Sequence, residues 1–197
     1  MGGAEVVLSE RGSLIVPVPY ALFGELPTEI IVEGTLLVRK AELHMTVFNY
    51  ALGKLLRKAI VDQPRLQTAI NQEAATFAWK IAPGDIYYHL VNDSPGKPQL
   101  QTIVVMVEAK LSSFFHATRE LVGEDAADSP ELHTLKDALS SPPPPHVTLY
   151  TSDPAGVAGI GLNTVAELEA ALALAGTPSP PPGLRAYRLQ SLAIRGT

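Results

Sequence analysis

The sequence predicts an α+β fold, a bilobal duplicated unit with two antiparallel β-sheets facing each other across a central cleft and helices outside. Three observations predict it. A short pattern, His-x-Thr between apolar residues, occurs twice, as Leu43-His44-Met45-Thr46-Val47 and Pro145-His146-Val147-Thr148-Leu149, about half the chain apart. Stretches of period-2 alternation are interleaved with stretches of helical spacing in both halves. The 197 residues suffice for one sizeable core or for two lobes that share one. The chain is therefore read as a single domain over 1–197 with two pseudo-symmetric lobes. The first, about 1–95, carries the first motif, and the second, about 96–197, carries the second.

Each element follows from its residues. Positions 12–18 are apolar and β-branched, and Pro17 and Pro19 suit an edge or a strand end. Positions 29–38 read as a strand pair or one long bent strand, and 42–50 as the first motif strand. Over 52–78 the residues Leu55, Ala59, Leu66, Ala69, Ile70, Ala74 and Phe77 recur at helical spacing, with a break or kink at Pro64. Positions 79–81 and 86–91 read as strands around a Pro83-Gly84-Asp85 turn. After a turn-rich connector at 92–98, positions 101–108 form a strong strand and 111–122 an amphipathic helix. An acidic loop spans 123–130 and a short helix 132–139, and polyproline at 142–145 leads into the second motif strand, 146–151. A glycine-rich loop at 156–161 precedes a helix whose Thr164 and Glu167 are set as a capping box. A Pro-rich loop, 177–183, leads to an alternating final strand over 184–195.

Composition narrows the function classes. The net charge is −5 and the isoelectric point about 5.5, which does not suit a general coat for long duplex nucleic acid. A small nucleotide or an RNA end needs only a local pocket and stays open. With no cysteine, disulfide and thiolate chemistry are excluded. The first residues lack a basic segment followed by an apolar run, and no apolar run reaches the roughly 18 residues of a membrane span. Cytoplasmic location, no membrane partner and a monomeric state are expected.

In a strand, side chains alternate between faces, so His44 and Thr46 share one face and Leu43, Met45 and Val47 the other. His146 and Thr148 are set likewise against Val147 and Leu149. Two such strands brought together present two imidazoles and two hydroxyls. Phosphodiester hydrolysis needs a base for the nucleophile and an acid for the leaving oxygen, and histidine titrates near neutral pH. The hydroxyls of Thr46 and Thr148 can hold phosphoryl oxygens. No cofactor is called for, and no metal-ligand spacing accompanies either motif. Phe48 and Tyr150, on the same alternation as the His/Thr pairs, are candidate stacking residues for a base.

On these two motifs the chain resembles the two-histidine (2H) phosphoesterase superfamily, and within it the 2′-5′ RNA ligase-like or cyclic phosphodiesterase proteins. The strand at 101–108 running into the helix at 111–122, and a closing strand from 184, support the resemblance, which covers most of the chain from about Glu29 onward. It implies a bilobal α+β fold with both motifs in a central cleft, and metal-independent hydrolysis of 2′,3′-cyclic or related nucleotide phosphodiesters. It implies His44 and His146 as the acid/base pair, leaning to His44 as acid and His146 as base, and Thr46 and Thr148 as phosphate-binding residues. Tyr150-Thr151-Ser152 stands where RNA-processing members often carry an arginine soon after the second motif. That departure and the acidic balance favour a small cyclic or nucleotide-like phosphodiester over long RNA, and disfavour ligase activity.

Two other readings stand beside this one: a non-catalytic nucleotide-binding or scaffold module on the same fold, and a structural protein in which the motifs coincide by chance. The remaining candidates read as structural. His89, His116 and His133 are expected at the surface or as satisfied histidines, and the 156–161 loop as flexible rather than a phosphate cradle. Arg39, Lys40, Arg185, Arg188 and Arg195 read as solvated charges, any one of which could reach a phosphate.

Overall fold

The computed structural model describes residues 6, 8–9, 12–96, 98–123, 129–178 and 180–190. Within them the fold is α+β, with five α-helices and one eight-stranded antiparallel sheet. The strands are β1 (Leu14–Pro17), β2 (Glu29–Val32), β3 (Thr35–Arg39), β4 (His44–Phe48), β5 (Ala82–Asn92), β6 (Leu100–Glu108), β7 (His146–Thr151) and β8 (Leu184–Leu189). The helices are α1 (Tyr50–Asp62), α2 (Arg65–Thr76), α3 (Leu111–Val122), α4 (Pro130–Ala138) and α5 (Val165–Ala175). No helix among the described residues is long and apolar enough to cross a membrane.

The two sheets expected from the sequence are hydrogen-bonded into one. Its main order is β1-β4-β7-β6-β5-β8, with β2 paired to β3 and β3 to β7. The sheet forks at β7. One edge of β7 pairs with β6, while the other is shared, with Val147 opposite Met45 of β4 and Tyr150 and Thr151 opposite Arg39 and Val38 of β3. The 29–38 segment takes the strand-pair form. Glu33 (φ 49°) and Gly34 (φ 80°) at its tip supply the two positive φ angles of a tight hairpin turn.

Helix ends follow local chemistry. The Asn49 side chain accepts the Leu52 N–H and starts α1, and the chain leaves helical conformation at Gln63, before Pro64, as the pre-proline restriction demands. Ser129 caps α4 with Pro130 in its first turn, and Thr164 accepts the Glu167 N–H at the start of α5. Gly123, at φ 73°, ends α3.

The 79–91 region departs from the sequence reading. β5 is one strand, and Pro83-Gly84-Asp85 lies inside it as a wide irregularity: Pro83 pairs with Val107 but Tyr87 with Val105. A β-carbon on Gly84 would sit 2.8 Å from the Met106 carbonyl oxygen, so the close approach requires glycine. Trp79 belongs to no strand; its indole N–H donates to the Ala74 carbonyl and its ring packs 4.7 Å from Phe77 and 4.8 Å from Phe114. Positions 191–195 of the expected last strand, Arg195 included, and 124–128 of the acidic loop lie outside the described residues.

Two cores flank the sheet. The larger joins Met45, Val47, Val105, Val147 and Leu149 to the buried faces of α1 to α4. The smaller joins Tyr88, Leu90 and Val104 to Ile160, Leu162 and α5. Four helices therefore load one face and leave the other to α5 and a pocket. Phe114 is fully buried at the centre of the aromatic cluster, 5.9 Å from Phe48 and 5.3 Å from Phe77. Phe114→Ala is expected to lower unfolding free energy by about 3–5 kcal/mol in urea titration; a loss below about 1 kcal/mol would show that this cluster does not hold the helices to the sheet.

Candidate active site

The four motif residues come together. Met45 stands opposite Val147 in the antiparallel β4–β7 pair, and one step to either side such a register sets His44 across from Thr148 and Thr46 across from His146. A local twofold through the Met45/Val147 pair thus exchanges the two motifs. Met45 and Val147 are fully buried in the larger core. His44, Thr46, His146 and Thr148 line a single pocket of about 420 Å³ on the other face.

Phe48 and Tyr150 do not share that face, and a matched pair of β-bulges is the reason. Along β1, Ile15 pairs with Thr46 and Leu14 with Phe48, so β4 carries one extra residue, Val47. Along β6, Val104 pairs with Thr148 and Ile103 with Tyr150, so β7 carries one extra residue, Leu149. Adjacent partner residues face opposite ways, so each aromatic ring is turned away from the threonine two positions before it. Phe48 packs 5.5 Å from Phe115 and borders the pocket only from beneath. Tyr150 does not line the pocket; it is fully buried and its hydroxyl donates to the Pro27 carbonyl at 3.1 Å. Burial pushes its phenol up to about 12, against a smaller opposing pull from Arg39.

The histidines differ in environment. The Nδ1–H of His146 donates to the Pro144 carbonyl at 2.7 Å, so in the neutral ring Nε2 carries the lone pair. The Leu162 N–H lies 3.5 Å from that Nε2, at the limit of a hydrogen bond. His146 is 6% exposed, and burial lowers its pKa from the ordinary histidine value; the Pro144 bond and Glu167 oppose the fall, and His44 adds to it. His44 is half-buried, with an Nδ1 that has no partner. Burial and then the charge of Lys40 lower its pKa, with Glu42 pulling the other way. Neither threonine hydroxyl has a hydrogen-bond partner among the described residues.

The glycine-rich loop forms a wall of the pocket and is tied down. The Asp153 carboxylate accepts the N–H groups of Ala158, Ala155 and Val157, which with a smaller pull from the Lys40 charge hold it below its ordinary pKa. The carbonyl of Gly156 (φ 66°) accepts the Ala41 N–H, and a β-carbon there would meet the Arg39 carbonyl oxygen at 2.9 Å. Lys40, expected as a solvated charge, is buried and lines the pocket, its ammonium donating to the carbonyls of Val157 and Ala158. Nothing in the local pattern signals this, because the Ala41-Glu42-Leu43 bend separates Lys40 from β4.

Tyr50, the first residue of α1, is the aromatic ring at the mouth. It is 62% exposed, lines the pocket, and lies 5.9 Å from the Arg57 guanidinium. Asn49 and Asn163, beside the starts of α1 and α5, hydrogen-bond each other at 2.7 Å across the pocket rim. Both helix N-termini, the partially positive ends, therefore border the site. The other candidates lie elsewhere. His89 is buried against Gln101, His116 is exposed, and His133 is exposed beside Asp137. Arg39 binds the Leu26 carbonyl, Arg185 pairs with Asp93, and Arg188 is exposed. Among the described residues there is no group of three metal-ligating side chains.

No family model, no curated protein and no solved structure matches the chain.

Because both imidazoles are held towards neutrality, NMR titration is expected to place both below about 6.5, with His146 as the Nδ1–H tautomer. The stability consequence has a definite sign. The unfolded chain takes up these protons first as pH falls, so the contribution is intact above about 6.5 and lost between there and the folded-state values. An imidazole titrating above 6.5 in the free protein would contradict this electrostatic picture.

Proposed function

We propose that the chain is a phosphodiesterase that hydrolyses a cyclic (2′,3′-type) or 2′-linked nucleotide or RNA-end phosphodiester, without a metal, by two-histidine acid/base catalysis. The observation that carries the reading is the convergence of His44, Thr46, His146 and Thr148 on one pocket in a twofold-related arrangement. The resemblance to the two-histidine phosphoesterases points the same way. So do the matched bulges and capped helix starts after each motif, which favour a duplicated, two-lobed unit.

The roles follow the family resemblance, and the hydrogen bonds of His146 support them. The Pro144 bond keeps the proton on Nδ1 and leaves the His146 Nε2 lone pair, met by the Leu162 N–H only at 3.5 Å, as the acceptor for a proton from water. As that water oxygen bonds to phosphorus, the opposite P–O bond breaks and protonated His44 gives its proton to the leaving oxygen. Thr46 and Thr148 donate hydrogen bonds to the non-bridging oxygens, whose charge the protein must stabilise. The exposed face of Tyr50 is placed to stack on a base at the pocket mouth, a contact worth about 1–3 kcal/mol in single-strand binders. The site suits a small nucleotide or an RNA end rather than a long duplex, in a monomeric cytoplasmic protein.

The test is hydrolysis of the four nucleoside 2′,3′-cyclic phosphates in EDTA. The unsubstituted protein is expected to turn over at least one. His44→Ala and His146→Ala are each expected to lower the rate about 10²- to 10⁴-fold with the melting transition retained. Near-normal rates in either variant would overturn the mechanism. No turnover of any diester, with binding retained, would favour the nucleotide-binding module.

A further inference from the structure

We propose that Lys40 forms an anion subsite in this pocket, holding a non-bridging oxygen of a monoanionic phosphodiester; this rests on the reading that the pocket takes a phosphodiester. The side chain is 6% exposed, yet its only hydrogen-bond partners among the described residues are two backbone carbonyls, of Val157 and Ala158; the acidic charges that act on it, Asp153 and Glu42, do so without an ion-pair contact. Asp153, on the same loop, has its oxygens engaged by three backbone N–H groups. A buried ammonium has three protons to place, and without a counter-ion in contact it is costly. An incoming anion relieves that cost.

The position suits the task. Lys40 and Thr148 flank the same spot: a β-carbon on Gly159 would lie 3.7 Å from the Thr148 hydroxyl oxygen and 3.9 Å from the Lys40 ammonium. Glycine at 159 keeps that gap clear, so one oxygen there could be met by the hydroxyl from one side and the ammonium from the other. The charge count also selects the ligand. Lys40 is the one charged side chain among the residues lining the pocket, beside two imidazoles that burial holds towards neutrality. That charge favours an anion over a neutral nucleoside, whether a diester with one negative charge or a monoester with close to two at neutral pH.

Calorimetric titration separates the roles. Three proteins are compared, each carrying His146→Ala so that a diester survives: one with Lys40, one with Lys40→Gln and one with Lys40→Arg. Glutamine can still donate to the loop carbonyls but brings no charge. The probes are adenosine 2′,3′-cyclic phosphate, adenosine 3′-monophosphate and adenosine. With Lys40 present, both phosphates are expected to bind more tightly than adenosine. Lys40→Gln should weaken the cyclic phosphate about 10- to 100-fold, the scale of a hydrogen bond to a charged group, while leaving adenosine unchanged. Lys40→Arg should restore most of the loss. Equal weakening of cyclic phosphate and adenosine would assign Lys40 to loop anchoring alone and overturn the subsite, as would unchanged affinity or no binding of the cyclic phosphate by the Lys40 protein. If the subsite behaves as expected but the protein with both histidines hydrolyses no diester, the subsite stands and the catalytic reading falls.

Discussion

The antiparallel contact between β4 and β7 at Met45 and Val147 is the constraint on which the site depends. It joins strands from opposite halves of the chain, and the large apolar core beneath it fixes which face of each strand is buried. Slipping either strand by one residue would bury an imidazole and expose Met45 or Val147, so the register is held by the whole core. Given that register, the two histidines and two threonines share the opposite face. The β-bulges at Val47 and Leu149 then end the alternation at the same place in both strands and turn Phe48 and Tyr150 into the apolar core. The result is a polar layer two residues deep on a rigid apolar base.

Electrostatics in the pocket follow from the same burial. His44 and His146 are both held towards neutrality by desolvation; Lys40 pushes His44 further that way, and His44 does the same to His146. A free pocket of this kind holds one cation, Lys40, and no matching carboxylate in its lining. An anion changes the balance for all three groups at once. It compensates Lys40 and makes a proton on His44 easier to hold, which is the state an acid catalyst needs. Acid strength and substrate binding are thus two consequences of one charge arrangement, and the Asp153-pinned loop keeps that arrangement in place.

Much of this was legible in the residues. Period-2 alternation around each motif placed the histidines and threonines on one face, helical spacing marked α1 to α3, and Pro64 marked the break between α1 and α2. The bulges were not legible. One extra residue in a strand leaves the apolar pattern intact, since Val47-Phe48 and Leu149-Tyr150 are apolar on either reading, so alternation carried Phe48 and Tyr150 to the wrong face. The irregularity in β5 was hidden similarly, because Pro83-Gly84-Asp85 has the composition of a hairpin turn. Lys40 and Tyr50 lie just outside the motif strands, and only the folded path of the chain brings them to the pocket. The single forked sheet, in place of two, depends on β7 dividing one edge between β3 and β4, a long-range choice with no local signature.

The pH dependence of kcat/KM for a hydrolysed cyclic phosphodiester, measured in EDTA, tests the central claim that the two histidines act as an acid/base pair in opposite protonation states. The account predicts a bell-shaped profile, one limb for each essential group, with one limb abolished in the residual activity of His44→Ala and the other in that of His146→Ala. A rate that climbs with hydroxide concentration, or a bell that survives unchanged in either variant, would contradict it.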